Sequence, residues 1–195
     1  EIYDELILST GAKPLKPPMP GIDRPGHFTV RGIPDVEAIN EWIVTHKAHR
    51  AVVVGGGFIG LEMVEQLQKR GLQVSVVEAL DQVMTPLDPE MAGWLHKELQ
   101  EHEVTLYLEN PVFKFNSPKI ENPASLVELK SGTVLPADIV ILGLGVRPDT
   151  ELAKNAGLKI GERGGIYVDE FLRTSDPNIW AIGDAIEVRD FITKE

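Results

Sequence analysis

The 195 residues include no cysteine. That excludes disulfides, thiolate-held metals and any thiol nucleophile supplied by this polypeptide. Positive charge is also scarce. Against 30 Asp and Glu stand 19 Lys and Arg, a formal net charge of -11 that repels phosphate backbones and disfavours nucleic acid as a partner. No window holds the about 18 uninterrupted apolar residues of a membrane span. The opening Glu1-Ile2-Tyr3-Asp4 lacks the basic and apolar regions of a signal peptide. No membrane partner and a cytoplasmic location are therefore expected. The histidines His27, His46, His49, His96 and His102 show no metal-ligand spacing, and no hydrolase elbow is present.

What the chain does contain is enough apolar residue, 43%, for an ordinary packed core. Residues 5–8, "ELIL", read as a short buried strand. Five prolines between 14 and 25 then suggest a semi-rigid connector. Pro34 with Asp35 and Glu37 starts a helix whose apolar face would be Val36, Ile39 and Ile43. A strand at 51–54, a helix over 58–70 closed by Gly71 and a strand at 73–78 make a βαβ unit. Asp88-Pro89-Glu90 opens another helix, with Met91, Leu95 and Leu99 as its stripe, and 104–108 reads as a strand. Short alternating runs over 111–136 predict a small antiparallel meander, after which "ADIVILGLG" returns to a buried strand. "LILSTGAKP" and "VILGLGVRP" echo one another, each an apolar strand running into a glycine turn and a proline.

Between the two strands of the βαβ unit lies "GGGFIG". Gly55, Gly57 and Gly60 fit G-x-G-x-x-G, with Gly56, Phe58 and Ile59 between them. The pattern alone is weak. Its setting after a strand, before a helix and about twenty residues ahead of an acidic strand end is what a dinucleotide fingerprint requires. Gly55 permits the sharp turn, Gly57 lets a pyrophosphate approach the helix N-terminus, and Gly60 allows the helix to pack closely. Glu78 is placed to accept the hydroxyls of an adenosine ribose, and no Lys or Arg lies between Ala79 and Glu90 to pair a 2'-phosphate. NADH is expected over NADPH.

The stretch "VVVGGGFIGLEMVEQLQKRG...VSVVEALDQVMTPLDPEMA" resembles the flavin-dependent pyridine nucleotide-disulfide oxidoreductases, in the branch of coenzyme A-disulfide reductases, NADH oxidases, NADH peroxidases and persulfide reductases. "YDELILSTGAKP", "GLGVRPDTELA" and "TSDPNIWAIGDA" are similar to further family segments. The resemblance implies an α/β fold: a Rossmann-like NAD(P)-binding domain with a parallel sheet and a small antiparallel meander, flanked by partial FAD-domain segments. The corresponding divisions are 1–33, 34–150 and 151–195. It implies an interior portion of a longer protein, whose FAD fingerprint, redox cysteine and dimerisation domain lie elsewhere in the parent chain.

Carried over by position, Thr10 and Gly11 match a turn that touches the flavin nucleotide, and Gly183 and Asp184 match a pair whose carboxylate accepts from a ribityl hydroxyl of FAD. Phe58 matches a movable ring that covers the flavin, Glu62 an acid near the nicotinamide, and Gly145 with Val146 the strand exit at the nicotinamide end. Glu103 departs from the family, which usually has glycine there. The function so implied is the nicotinamide-binding portion of an enzyme passing hydride from NADH to FAD and on to a disulfide, persulfide, peroxide or oxygen. The alternative from the same residues is a non-catalytic module that binds or senses a nicotinamide dinucleotide. A flavin-free dehydrogenase would need a proton-transfer residue that no motif here offers.

Overall fold

Ala51, Val52, Val53 and Val54 are all buried, the pattern of a strand covered on both faces. The computed structural model describes residues 2–118, 124–188 and 192. Its first elements are β1 (Leu6–Leu8), β2 (Ala12–Pro14), β3 (His27–Phe28), α1 (Ile33–His46), β4 (Arg50–Val54), α2 (Phe58–Lys69) and β5 (Gln73–Val77). There follow α3 (Pro89–Glu101), β6 (Thr105–Tyr107), β7 (Val112–Asn116), β8 (Ser125–Leu129), β9 (Val134–Ala137) and β10 (Ile139–Leu142). The chain closes with β11 (Val146–Pro148), α4 (Glu151–Asn155), β12 (Ile166–Tyr167), β13 (Ile179–Ala181) and β14 (Ile186–Glu187).

The described residues form two compact units. One runs from Pro14 to Gly145; the other joins the segment up to Lys13 with the segment from Val146 onward. The divisions suggested by the sequence stood at 33/34 and 150/151. Residues 14–33 pack within the larger unit because Ile22 enters its core, Phe115 donates its amide to the Pro20 carbonyl at 2.9 Å, and β3 joins its sheet. The proline segment is a packed strap.

In the larger unit β3, β10, β4, β5 and β6 lie side by side in that order, all parallel. Alternate side chains serve two layers. Val53, Val76, Ile139 and Ile141 pack with Ile39 of α1 and Val64 and Leu67 of α2. Val52, Val54, Val140 and Leu142 pack with the antiparallel meander β7–β8–β9, through Phe115, Val127, Leu129 and Leu135. The βαβ unit, the parallel sheet and the meander are as the sequence indicated.

Two helix stripes differ. On α1 the core-facing set is Ile39, Trp42 and Ile43, while Val36 is exposed. The Trp42 indole donates to the Asp138 carbonyl at 2.9 Å, which turns that face inward. On α3 Ala92 is fully buried with Leu95 and Leu99 packed beside the core, and Met91 is exposed. Positions 92, 95 and 99 are the i, i+3, i+7 row, one step round the helix from Met91.

In the smaller unit β1 pairs in parallel with β13, β12 pairs with β14, and Leu8, Ile166, Ile179 and Ala181 form the centre of its core. The two echoing segments meet: β2 pairs with β11. No described helix is long and apolar enough to cross a membrane.

Candidate functional site

β4 ends at Val54 between β5 and β10, so the chain must leave the sheet within one residue. Gly55 does so at φ 103°, donating its amide to the Val77 carbonyl at 2.8 Å. A Cβ there would overlap the Gly143 carbonyl oxygen. Glycine is thus required both by the backbone angle and by the neighbour. Gly60 is buried on the inner face of α2, where a Cβ would overlap the Gly55 carbonyl and touch Val53. Gly143 presses on Gly60 in turn, 3.2 Å from its Cα to an added Cβ. It is a contributor the sequence reading missed, although it sits in the same "LGLG" strand exit as Gly145.

Gly57 differs from these. It is the N-cap of α2, exposed, and apart from its chain neighbours no described residue comes within 4 Å of where a side chain would begin. Among the described residues no side chain caps α2. The amides of its first turn have no intrahelical acceptor and sit at the positive end of a 12-residue helix. Phe58, Ile59 and Glu62 are exposed along the first turns of the same helix, Phe58 at 69%.

Glu78 follows β5 and turns back toward the bend. Its Oε2 accepts from the Gly56 amide at 2.7 Å, and Oε1 accepts from the Leu80 amide at 3.0 Å. Its own amide donates to the Tyr107 carbonyl at 2.9 Å. A carboxylate offers about four lone-pair sites, so two remain for hydroxyl donors. Gly56 is also clasped from the other side: its carbonyl accepts from the Met84 amide at 2.8 Å, and the Val83 side chain leaves no room for a Cβ. Gly145 lies two residues beyond Gly143, exposed at φ 91°, its carbonyl accepting from Leu15 at 2.9 Å. Gly55, Gly56, Gly57, Gly60 and Glu78 therefore converge at the carboxyl end of the sheet.

The remaining sequence candidates belong to the smaller unit. Parallel pairing of β1 with β13 sets Ser9-Thr10-Gly11 beside Gly183-Asp184: Ile182 donates to the Leu8 carbonyl at 2.9 Å, and a Cβ on Gly183 would lie 3.9 Å from Ser9 Oγ. Thr10 Oγ1 donates to the Asp149 carbonyl at 2.6 Å, and the Asp149 amide donates to the Gly11 carbonyl at 2.8 Å. Lys13 bridges Asp149 at 2.9 Å and Glu151 at 3.0 Å, hydrogen bonds that raise its pKa. Asp184 is exposed in a 3-10 turn.

The model of the pyridine nucleotide-disulphide oxidoreductase family matches residues 2–194. The chain belongs to that family. It is 46% identical over 195 residues to an NADH oxidase of Methanocaldococcus jannaschii, covering 99% of this chain and 42% of that one. The structure of reduced Bacillus anthracis CoADR-RHD superposes with a TM-score of 0.92 at 49% identity, covering 100% of this chain and 34% of that one. An engineered water-forming NADPH oxidase bound to NADPH superposes with a TM-score of 0.89 at 27% identity, over 100% of this chain and 42% of that one. This family member therefore spans about two fifths of the length of such relatives, and their folds support the Rossmann-type reading of its parallel sheet.

Proposed function

We propose that this chain is the NAD(P)H-binding portion of a flavin-dependent oxidoreductase, passing hydride from NADH to FAD and on to a disulfide, persulfide, peroxide or oxygen. One observation carries the reading: the uncapped N-terminus of α2 opens at side-chain-free Gly57, beside a Glu78 carboxylate held by the Gly56 amide. A diphosphate fits the first, because free amides and the helix dipole favour negative charge. Adenosine ribose hydroxyls fit the second. Phe58, Glu62 and Gly145 are assigned to the nicotinamide end. Thr10, Gly11, Gly183 and Asp184 are assigned to FAD, whose ring supplies the hydride acceptor when bound. The protein's part is placement and electrostatics.

NADH is assigned over NADPH. The engineered NADPH oxidase carries a glycine-to-alanine replacement and, 18 positions further on, aspartate to alanine followed directly by alanine to arginine. In this chain the same spacing separates Gly60 from Glu78, and Ala79 follows. A carboxylate at that place repels a 2'-phosphate, and an arginine beside it would attract one.

A second reading, a nucleotide-binding module without catalysis of its own, rests on the same glycine bend and the same Glu78 carboxylate. Both readings require the nucleotide. Titration with NADH and with NADPH, followed by nicotinamide fluorescence, should show tighter binding of NADH. Glu78→Ala should weaken NADH by about 1–3 kcal/mol if its ribose bonds form. Equal or tighter binding of NADPH by the wild type would overturn the ribose assignment, and no binding of either would overturn the site.

A further inference from the structure

The loop after Glu78 is tied to the glycine bend by an unusual residue. Met84 sits at φ 51°, in the left-handed region that non-glycine residues seldom occupy. In that conformation its amide reaches the Gly56 carbonyl at 2.8 Å, and its own carbonyl accepts from Leu87 at 2.8 Å. Val83, fully buried, lays its Cγ1 against Gly56, 2.8 Å from where a Cβ would stand. Gly56 in turn donates to Glu78. The shape of this loop and the direction of the Glu78 carboxylate are therefore parts of one hydrogen-bonded arrangement.

The loop is held from outside at two places: the Glu109 amide donates to the Leu80 carbonyl at 2.8 Å, and His96 of α3 reaches Val83. Its Nε2 accepts from the Val83 amide at 3.1 Å. In this bond the Nε2 lone pair is the acceptor. The bond matters because Val83 is buried: without an acceptor its amide would be an unpaired donor shut away from water, which a protein avoids by rearranging the backbone. Rearrangement there would move the residue that precedes Met84.

We propose that His96 is a positioning residue for the nucleotide site: by accepting from Val83 it fixes the 79–87 loop, and through Met84 and Gly56 it aims the Glu78 carboxylate. This rests on the nucleotide reading above. It adds a group that lies 18 residues beyond the acid, outside the glycine fingerprint.

The test uses the 195-residue chain with His96→Ala and His96→Gln, the latter keeping an acceptor oxygen. Amide hydrogen exchange measured by NMR without nucleotide should show faster exchange at Met84 in His96→Ala, and the NADH dissociation constant should rise about 3- to 10-fold, the worth of one hydrogen bond. His96→Gln should recover both to within about 2-fold, since a side-chain amide oxygen accepts the same bond. Should His96→Ala not fold, His96→Leu, which fills space without accepting, takes its place in the comparison. Wild-type NADH affinity and Met84 protection in the alanine or leucine variant would overturn the proposal. So would equal impairment of the glutamine variant, which marks simple packing. If the wild type itself binds no NADH, the nucleotide reading fails and the positioning role fails with it, while Met84 exchange alone still decides whether His96 holds the loop.

Discussion

Gly55 and Gly143 leave no space between them: the Gly143 carbonyl occupies the place where a Gly55 side chain would begin. The two residues are exits of neighbouring parallel strands, and their contact draws the bend down onto the sheet. Gly55→Ala must both adopt φ 103° and push β10 aside. It should cost about 2–4 kcal/mol, by left-handed strain and overpacking together, and abolish NADH binding. Urea unfolding and fluorescence titration check the two effects separately. Gly57→Ala meets open space, so its loss should fall on the nucleotide and leave the urea midpoint nearly unchanged.

At the other end of β4, Asp138 accepts from the His49 and Arg50 amides at 3.0 and 2.9 Å and from the Arg50 guanidinium at 2.7 Å. Burial by itself would raise this carboxyl, but Arg50 and the two amides outweigh it and hold its pKa below the ordinary value of 3.8. The folded pKa is depressed, so the stabilisation is present above the unfolded pKa and is lost as acid protonates the group. Asp138→Ala should cost about 1–3 kcal/mol at pH 7, reduced from the fully buried case because Arg50 is partly solvated. Its NADH affinity should match the wild type, since the bend lies at the opposite end of the strand.

His27 gives a second pH response. Desolvation first, and then the nearby Arg24 and Lys16 charges, push its pKa from 6.5 down to about 4, against a raising contribution from the Ile22 carbonyl. Its Nδ1 lies 3.1 Å from that carbonyl, and its ring packs edge-on to Phe115. For a base with a lowered folded pKa, the unfolded chain binds the proton first. Stability is full above 6.5 and falls as pH drops toward about 4. The urea midpoint should therefore decline between pH 7 and pH 4.5, and His27→Leu should make that decline shallower. An unchanged slope would show that other groups govern it.

Glu103 lies at φ 59° just after α3. The chain places a side chain in the left-handed conformation that glycine adopts without cost. Glu103→Gly should stabilise by about 0.5–1 kcal/mol, raising the thermal midpoint by about 1–4 °C. Calorimetry reads this directly.

Much of this was legible in the sequence. Strand β4, helix α2 and strand β5 are local patterns, and so are the meander's alternating runs; periodicity and glycine placement suffice for them. The convergence of Glu78 on the bend was legible from spacing. Residues 14–33 were not, because five prolines look like a spacer whether or not Ile22 finds a core. Met91 stands one step round from the packed row, and Val36 lies on the row of Ile39 and Ile43 yet is exposed, because an apolar stripe is set by what packs against it, here an indole bonded to Asp138 and a sheet approached through Ala92. Gly143, Met84 and His96 act through contacts distant in sequence, and a lone histidine carries no mark of the amide it will meet.

A single residue, Asp138, separates β9 from β10. The meander is consequently spliced into the central sheet with no slack, since a strand advances only about 3.3 Å per residue. Slippage of β9 by two positions would drag β10 along β4 and carry Gly143 away from Gly55. Register in an outlying hairpin is thereby the gauge for a bend on another layer.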